Sequence, residues 1–249
     1  MEVHHHSHTD RKKWKHYFWE FFMLFLAVTL GFLVENQREH YIEHQREKKY
    51  AQLLYEDLKK DSASLNAIIG TKQWRGAKLD SLFYILSQPG LEKNGSSVYY
   101  YSSFLAINLP FKPNDATIQQ LRSSGSLRYF SNPQLYNAIS KYYSDCMFYL
   151  DRENEGSNSE SLLRVGTKLF DANKLYSFIQ ITPSIRNAVR YPTEPMELLT
   201  TDKEVINEFT FLGKRAKNHN DLALYLLSAV IGPQLNELIT EIKTRYHLK

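Results

Sequence analysis

Four histidines within the first eight residues, His4, His5, His6 and His8, form the densest set of metal-ligating side chains in the sequence. Neutral imidazoles on a flexible tail can chelate zinc, copper or nickel, and the alternative is a solvated tail to which His16 adds interfacial charge. A second set, His40, Tyr41, Ile42, Glu43 and His44, spells H-x-x-E-H, the ligand-base-ligand order of one metallopeptidase class. On a helix, His40 and His44 share a face at i and i+4, with Glu43 or Glu47 beside them. The motif lies in a charge-rich stretch with no apolar cover for a dry pocket and no evident third ligand, so it is read as coincidental. Neither G-x-S-x-G, nor a P-loop, nor G-x-G-x-x-G occurs, and Cys146, the single cysteine, has no histidine near it in sequence. Asp57, Asp61, Asp145 and Asp151 fall where solvated faces or salt bridges account for carboxylates. The chemistry-bearing residues therefore point to a protein that is not an enzyme.

The element that must carry the histidine tail is the apolar stretch Tyr17 to Val34, preceded by Arg11, Lys12, Lys13 and Lys15. Eighteen residues at about 1.5 Å each span roughly 27 Å, close to the hydrocarbon thickness of a bilayer, with Tyr17 and Trp19 at belt height. Glu20 interrupts the run near its end, where a charge costs less than at the membrane centre. No small-x-small cleavage site follows in Val34, Glu35, Asn36 and Gln37, so the sequence predicts an uncleaved anchor. The basic cluster places residues 1–16 in the cytoplasm as a His-rich tail, residues 17–34 in the membrane and residues 35–249 on the far side, the periplasm of a bacterium with this as its inner membrane. Ala27 and Gly31 make a small-x-x-x-small pair through which two such helices could approach, and Glu20 could pair with a basic residue of a neighbouring chain. These three are the candidate interaction residues of the anchor.

Outside the tail and Glu20 the chain holds 27 basic and 24 acidic residues, a net charge of +3 without a basic block, which gives no case for nucleic-acid binding. The 17 Tyr and 14 Phe supply bulk for a packed core. Tyr50, Leu54, Leu58, Leu65 and Ile68 recur at helical spacing, predicting an amphipathic helix out of the membrane to about Ile69 and a second from Thr71 to Ser87, stopped by Pro89 and Gly90. Leu91 to Pro113 reads as an ordered loop with at most a short extended piece. Asn114 or Asp115 caps a helix ending at Ser124 and Gly125; Ser131 or Asn132 with Pro133 opens another, whose stripe Leu135, Ile139, Tyr142, Cys146 and Tyr149 buries the thiol. Ser161 to Phe170 is a further short helix. Thr201 or Asp202 opens one through Leu212, and a last runs from Asp221 past Pro233, which should kink or split it. The fold class is all-α, a helical bundle behind one transmembrane helix.

WKHYFWEFFMLFLAVTLGFLVENQREH near the start, ATIQQLRSSGSLRYFSNPQLYNAISKYY in the middle and the closing helical stretch together resemble a family of bacterial single-pass membrane proteins defined only as a domain of unknown function. The resemblance implies the same topology and a helical periplasmic domain, and carries no activity or cofactor. It makes Leu121 to Arg128 a segment to inspect for a binding surface. The expected function is a non-enzymatic assembly or interaction protein whose partners are the bilayer and either a second copy or another membrane protein. The alternative is a periplasmic small-ligand sensor signalling through a partner.

Overall fold

The structure, a computed structural model, describes residues 14–155, 159–180, 182 and 185–248. The chain is all-α, and among the described residues the one pairing of extended backbone is an isolated bridge between Ile179 and Val189. It divides into two units, Met1–Tyr50 and Ala51–Lys249. Helix α1 (Trp14–Leu86) runs through the division.

In the first unit Phe21, Leu24, Val28 and Phe32 are each more than half exposed. The charged stretch that follows satisfies itself locally, as in the Arg38–Glu35 pair at 2.7 Å.

In the second unit α1 is the spine. Leu54, Leu58, Leu65, Leu79 and Leu82 are buried along one stripe, each contributing about 1.5–3 kcal/mol. The amphipathic stripe expected on this helix is thus buried from Leu54 onward inside the second unit. The helix also does not restart at Thr71. No proline interrupts it, and the Thr71 hydroxyl donates back to the Ala67 carbonyl at 2.9 Å inside a continuous helix.

Helix α2 (Gly95–Ser102) lies within the stretch expected as a loop over 91–113, whose later part is irregular as expected. Its run of tyrosines shows no apolar period over so short a length, and packing decides: Tyr99 is fully buried, edge-on to Phe170 at 4.9 Å. Gly95 permits the approach, because a Cβ there would lie 2.0 Å from the Met196 carbonyl oxygen. Helix α3 (Ala116–Ser123) ends as expected at Gly125, with φ of 64°. Helix α4 (Pro133–Glu155) starts on its predicted cap, with the Leu135 amide donating to Asn132 Oδ1 at 2.7 Å, and its predicted stripe is buried.

Helix α5 (Ser159–Leu169) packs on α7 (Lys203–Tyr225), and between them α6 (Ala172–Ser177) is capped by Asp171. Asp202 caps α7, accepting from the Glu204 amide at 2.9 Å and the Val205 amide at 3.2 Å. The two C-terminal helices expected from the sequence are joined. From α7 the chain winds through a π-helical segment, Leu226–Ile231, into α8 (Gly232–Tyr246). The Gly232 amide donates to the Leu227 carbonyl, five residues back, so the wider turn ends at the residue before Pro233, which stands in the first turn of α8 where its missing N–H is tolerated. The same turn keeps the core stripe aligned. Ala223, Leu227, Ile231 and Leu235 are buried at three successive steps of four, which on an ordinary α-helix drift by about 40° each.

Candidate functional site

Helix α1 sends charged side chains into the second unit at three levels. Asp57 and Asp61, expected on solvated faces, are buried, because α3 presents its N-terminus to them. The Thr117 amide and hydroxyl donate to Asp57 Oδ2, and the Asn114 amide donates to Asp61 Oδ1 at 2.7 Å. Asp115, at the cap position itself, makes no cap bond. α3 is therefore capped by another helix, which places negative charge at the positive end of its dipole. Asp61 also accepts from the Tyr142 hydroxyl at 2.8 Å; burial raises its pKa despite both donors. Burial likewise pushes the adjacent Cys146 thiol up to about 12, so it is a packed thiol and not a nucleophile.

Arg75 binds the turn that follows α2. Its Nε and Nη2 donate to the carbonyls of Phe104 and Leu105, each at 3.0 Å, beyond the C-terminus of α2, and Nη1 donates to Asn220 Oδ1 at 3.3 Å.

The third level joins α1, α4 and α7. Lys72 Nζ lies 3.0 Å from Glu153 Oε2, with both side chains at most 3 % exposed. Glu153 Oε1 lies 3.4 Å from His219 Nε2, and neither of these two atoms has an aligned hydrogen bond, although both are buried. Asn220 closes the layer by donating to the Lys72 carbonyl at 3.1 Å. Burial lowers the pKa of Lys72 and of Arg75, and Glu153 partly offsets this in each. Burial also lowers that of His219, reinforced by Lys72, Arg75 and Arg152 and opposed by Glu153, so the imidazole is neutral at pH 7.

A histidine backed by a glutamate can act as a base where a cleft brings substrate to it. Two hollows among the described residues lie away from this histidine. One, about 260 Å³, lies between α4 and the π segment, lined by Phe148, Tyr149, Leu226, Val230 and Ile231 with Lys141 and Asp145. The other, about 850 Å³ and wide open, runs along the polar face of α8 from Asn236 to Arg245.

The residues singled out from the sequence do not converge on this layer. His4, His5, His6 and His8 lie outside the described residues. Glu20 pairs with His16 of its own helix, Nε2 to Oε1 at 3.1 Å. Ala27 and Gly31 lie one turn apart, and a Cβ on Gly31 would meet nothing within 4 Å. His40 Nδ1 is 3.9 Å from Glu43 and His44 Nδ1 is 3.8 Å from Glu47, with both imidazoles about two-thirds exposed. Among the described residues no group of three or more His, Cys, Asp or Glu is placed to hold a metal ion. In Leu121 to Arg128 the hydroxyls of Ser123 and Ser124 turn back onto the Gln120 carbonyl, forming a helix end.

The buried layer was missed, yet its signal is present in the helical spacing. Glu153 extends the α4 stripe one turn beyond Tyr149, and Lys72 and Arg75 continue the α1 stripe between Leu65 and Leu79. A charge standing on an apolar stripe is the sign of a buried pair. Compared with protein families, with curated proteins and with solved structures, the chain matches none.

Proposed function

We propose that this chain is a membrane-anchored, non-enzymatic assembly or interaction protein, with residues 17–34 crossing a bacterial inner membrane and the helical unit Ala51–Lys249 in the periplasm. One observation carries the anchor: the most apolar 18-residue window of α1 has none of its residues buried by protein. Ten Leu, Phe and Val residues between Phe21 and Val34 each favour insertion by about 0.3–0.6 kcal/mol. The His16–Glu20 pair lowers the cost of an acid at the membrane edge. A second helix, Lys203–Tyr246, is also long and apolar enough to span, but Leu227, Ile231, Leu235, Leu238 and Ile242 are core residues of the second unit, and we read it as a core helix. The topology follows from the basic residues ahead of the span. Ala27 and Gly31, on the lipid-facing helix, are the contact points for a second copy or another membrane protein.

The test is mild crosslinking of the intact protein in its native membrane, followed by mass spectrometry. Reproducible crosslinks from the anchor to another protein or to a second copy support the reading, and crosslinks confined to one chain remove it. Release of the protein from membranes by alkaline carbonate would remove the anchor as well. The groove between α4 and the π segment supports a second reading, a small-ligand sensor, since its apolar lining carries a Lys141–Asp145 pair at 2.6 Å. A ligand-dependent rise in melting temperature across a metabolite set, abolished by filling the groove with Val230→Trp, would favour it.

A further inference from the structure

We propose that His219 is a proton-sensitive latch, holding the middle of α7 on α1 and α4 while neutral and loosening that contact when it takes up a proton. The inference goes beyond the assembly role and does not depend on it. It rests on the composition of the three-helix junction. One buried carboxylate, Glu153, faces two fixed cations on α1, Lys72 at 3.0 Å and, nearby, Arg75, and it faces His219 at 3.4 Å from its other oxygen. From α4 the exposed Arg152 adds a further positive charge toward the imidazole. On α7 itself, Lys217 is held by Asp221 at 2.6 Å and by Asp80 of α1 at 3.3 Å, while Arg215 stands one turn before His219. A proton on His219, whose side chain is about one-fifth exposed, therefore brings a third cation to a buried carboxylate already shared.

The direction follows from linkage. The folded imidazole is harder to protonate than one on the opened chain, whose ordinary value is 6.5. The open form then binds more protons, so the contact is fully held above about pH 6.5 and weakens as the pH falls toward the lowered folded value. One proton limits the effect to about tenfold per pH unit. The junction lies between helices, and its release frees Asn220, whose side chain reaches both Arg75 and the Lys72 carbonyl.

The test is hydrogen exchange on the full chain in detergent between about pH 7.5 and 5, read as protection factors corrected for intrinsic exchange. Protection in α7 should fall several-fold to tenfold per pH unit below about 6.5, with α3 unchanged, and His219→Gln should make α7 flat across the range. The exposed substitution Arg152→Gln removes one facing cation without opening the core and should shallow the acid step. This keeps the test decisive if the Gln variant folds poorly. An α7 whose protection is independent of pH in the wild type, or equally pH-dependent in His219→Gln, overturns the proposal.

Discussion

Replacing Gly95 with alanine should destabilise the second unit, although the same change elsewhere in a helix is normally favourable. In a helix interior, Gly→Ala gains about 0.5–1 kcal/mol through backbone entropy and propensity. At Gly95 the added Cβ would stand 2.0 Å from the Met196 carbonyl oxygen, where ordinary contact begins at 3.4 Å, so one backbone must retreat by about 1.4 Å. The segment in the way is tied down. The Met196 amide donates to Ser96 Oγ at 2.9 Å, the Tyr99 hydroxyl donates to the Glu197 carbonyl at 3.4 Å, and the Leu199 amide donates to the Leu169 carbonyl at 3.0 Å. A retreat of that size breaks the first two, at about 0.5–1.5 kcal/mol each, and adds overpacking of about 1–3 kcal/mol. After the propensity gain is subtracted, the expected loss is about 1–5 kcal/mol, read from urea unfolding of the full chain in detergent with an unchanged m-value. Gly76→Ala is the control, since a Cβ there meets Asn220 Nδ2 at 3.5 Å and fits; it should be neutral or slightly stabilising. Equal or greater stability for Gly95→Ala would refute the close approach of α2 to the 194–199 segment.

The buried layer predicts non-additivity. Lys72→Met should cost about 3–5 kcal/mol in the same urea assay, whereas adding Glu153→Met should cost less than the sum of the two single changes; strict additivity would deny the pair. Capping from α1 predicts that Asp57→Ala costs about 1–2 kcal/mol while Asp115→Ala, at the formal cap, stays within about 0.5 kcal/mol, and the reverse order would return the cap to α3 itself. Cys146, fully buried with its thiol pushed up to about 12, should label with a maleimide only as fast as the unit opens, so urea should accelerate labelling; prompt labelling of the native chain would contradict its burial.

The helices legible in the sequence are those with a start signal and a stripe. Asn132 with Pro133, Asp202, and the residues from Leu135 to Tyr149 identify α4 and the beginning of α7 from local chemistry alone. What was not legible depends on distance in the fold. α2 is too short to show a period and exists because Tyr99 has Phe170 to pack against. The joined C-terminal helices carry a π turn just ahead of a proline that by itself argues for a break. Asp57 and Asp61 look like members of a solvated face until α3, more than fifty residues later, arrives to use them. The histidine and small-residue patterns that drew attention first lie in the first unit or ahead of it, whereas the charged layer lies on stripes whose apolar members masked it.

The capping of α3 by α1, and the grip of Arg75 on the turn after α2, also set an order of assembly. Helices of eight residues are marginal alone, and α3 has N-terminal amides satisfied by side chains of another segment. α1 leaves the ribosome first, with Asp57, Asp61 and Arg75 already spaced along it, and the chain that must find them follows within a few tens of residues. The first long helix thus acts as a template on which the middle of the protein acquires its structure as it is made, and an error in α1 is inherited by elements that contain no error of their own.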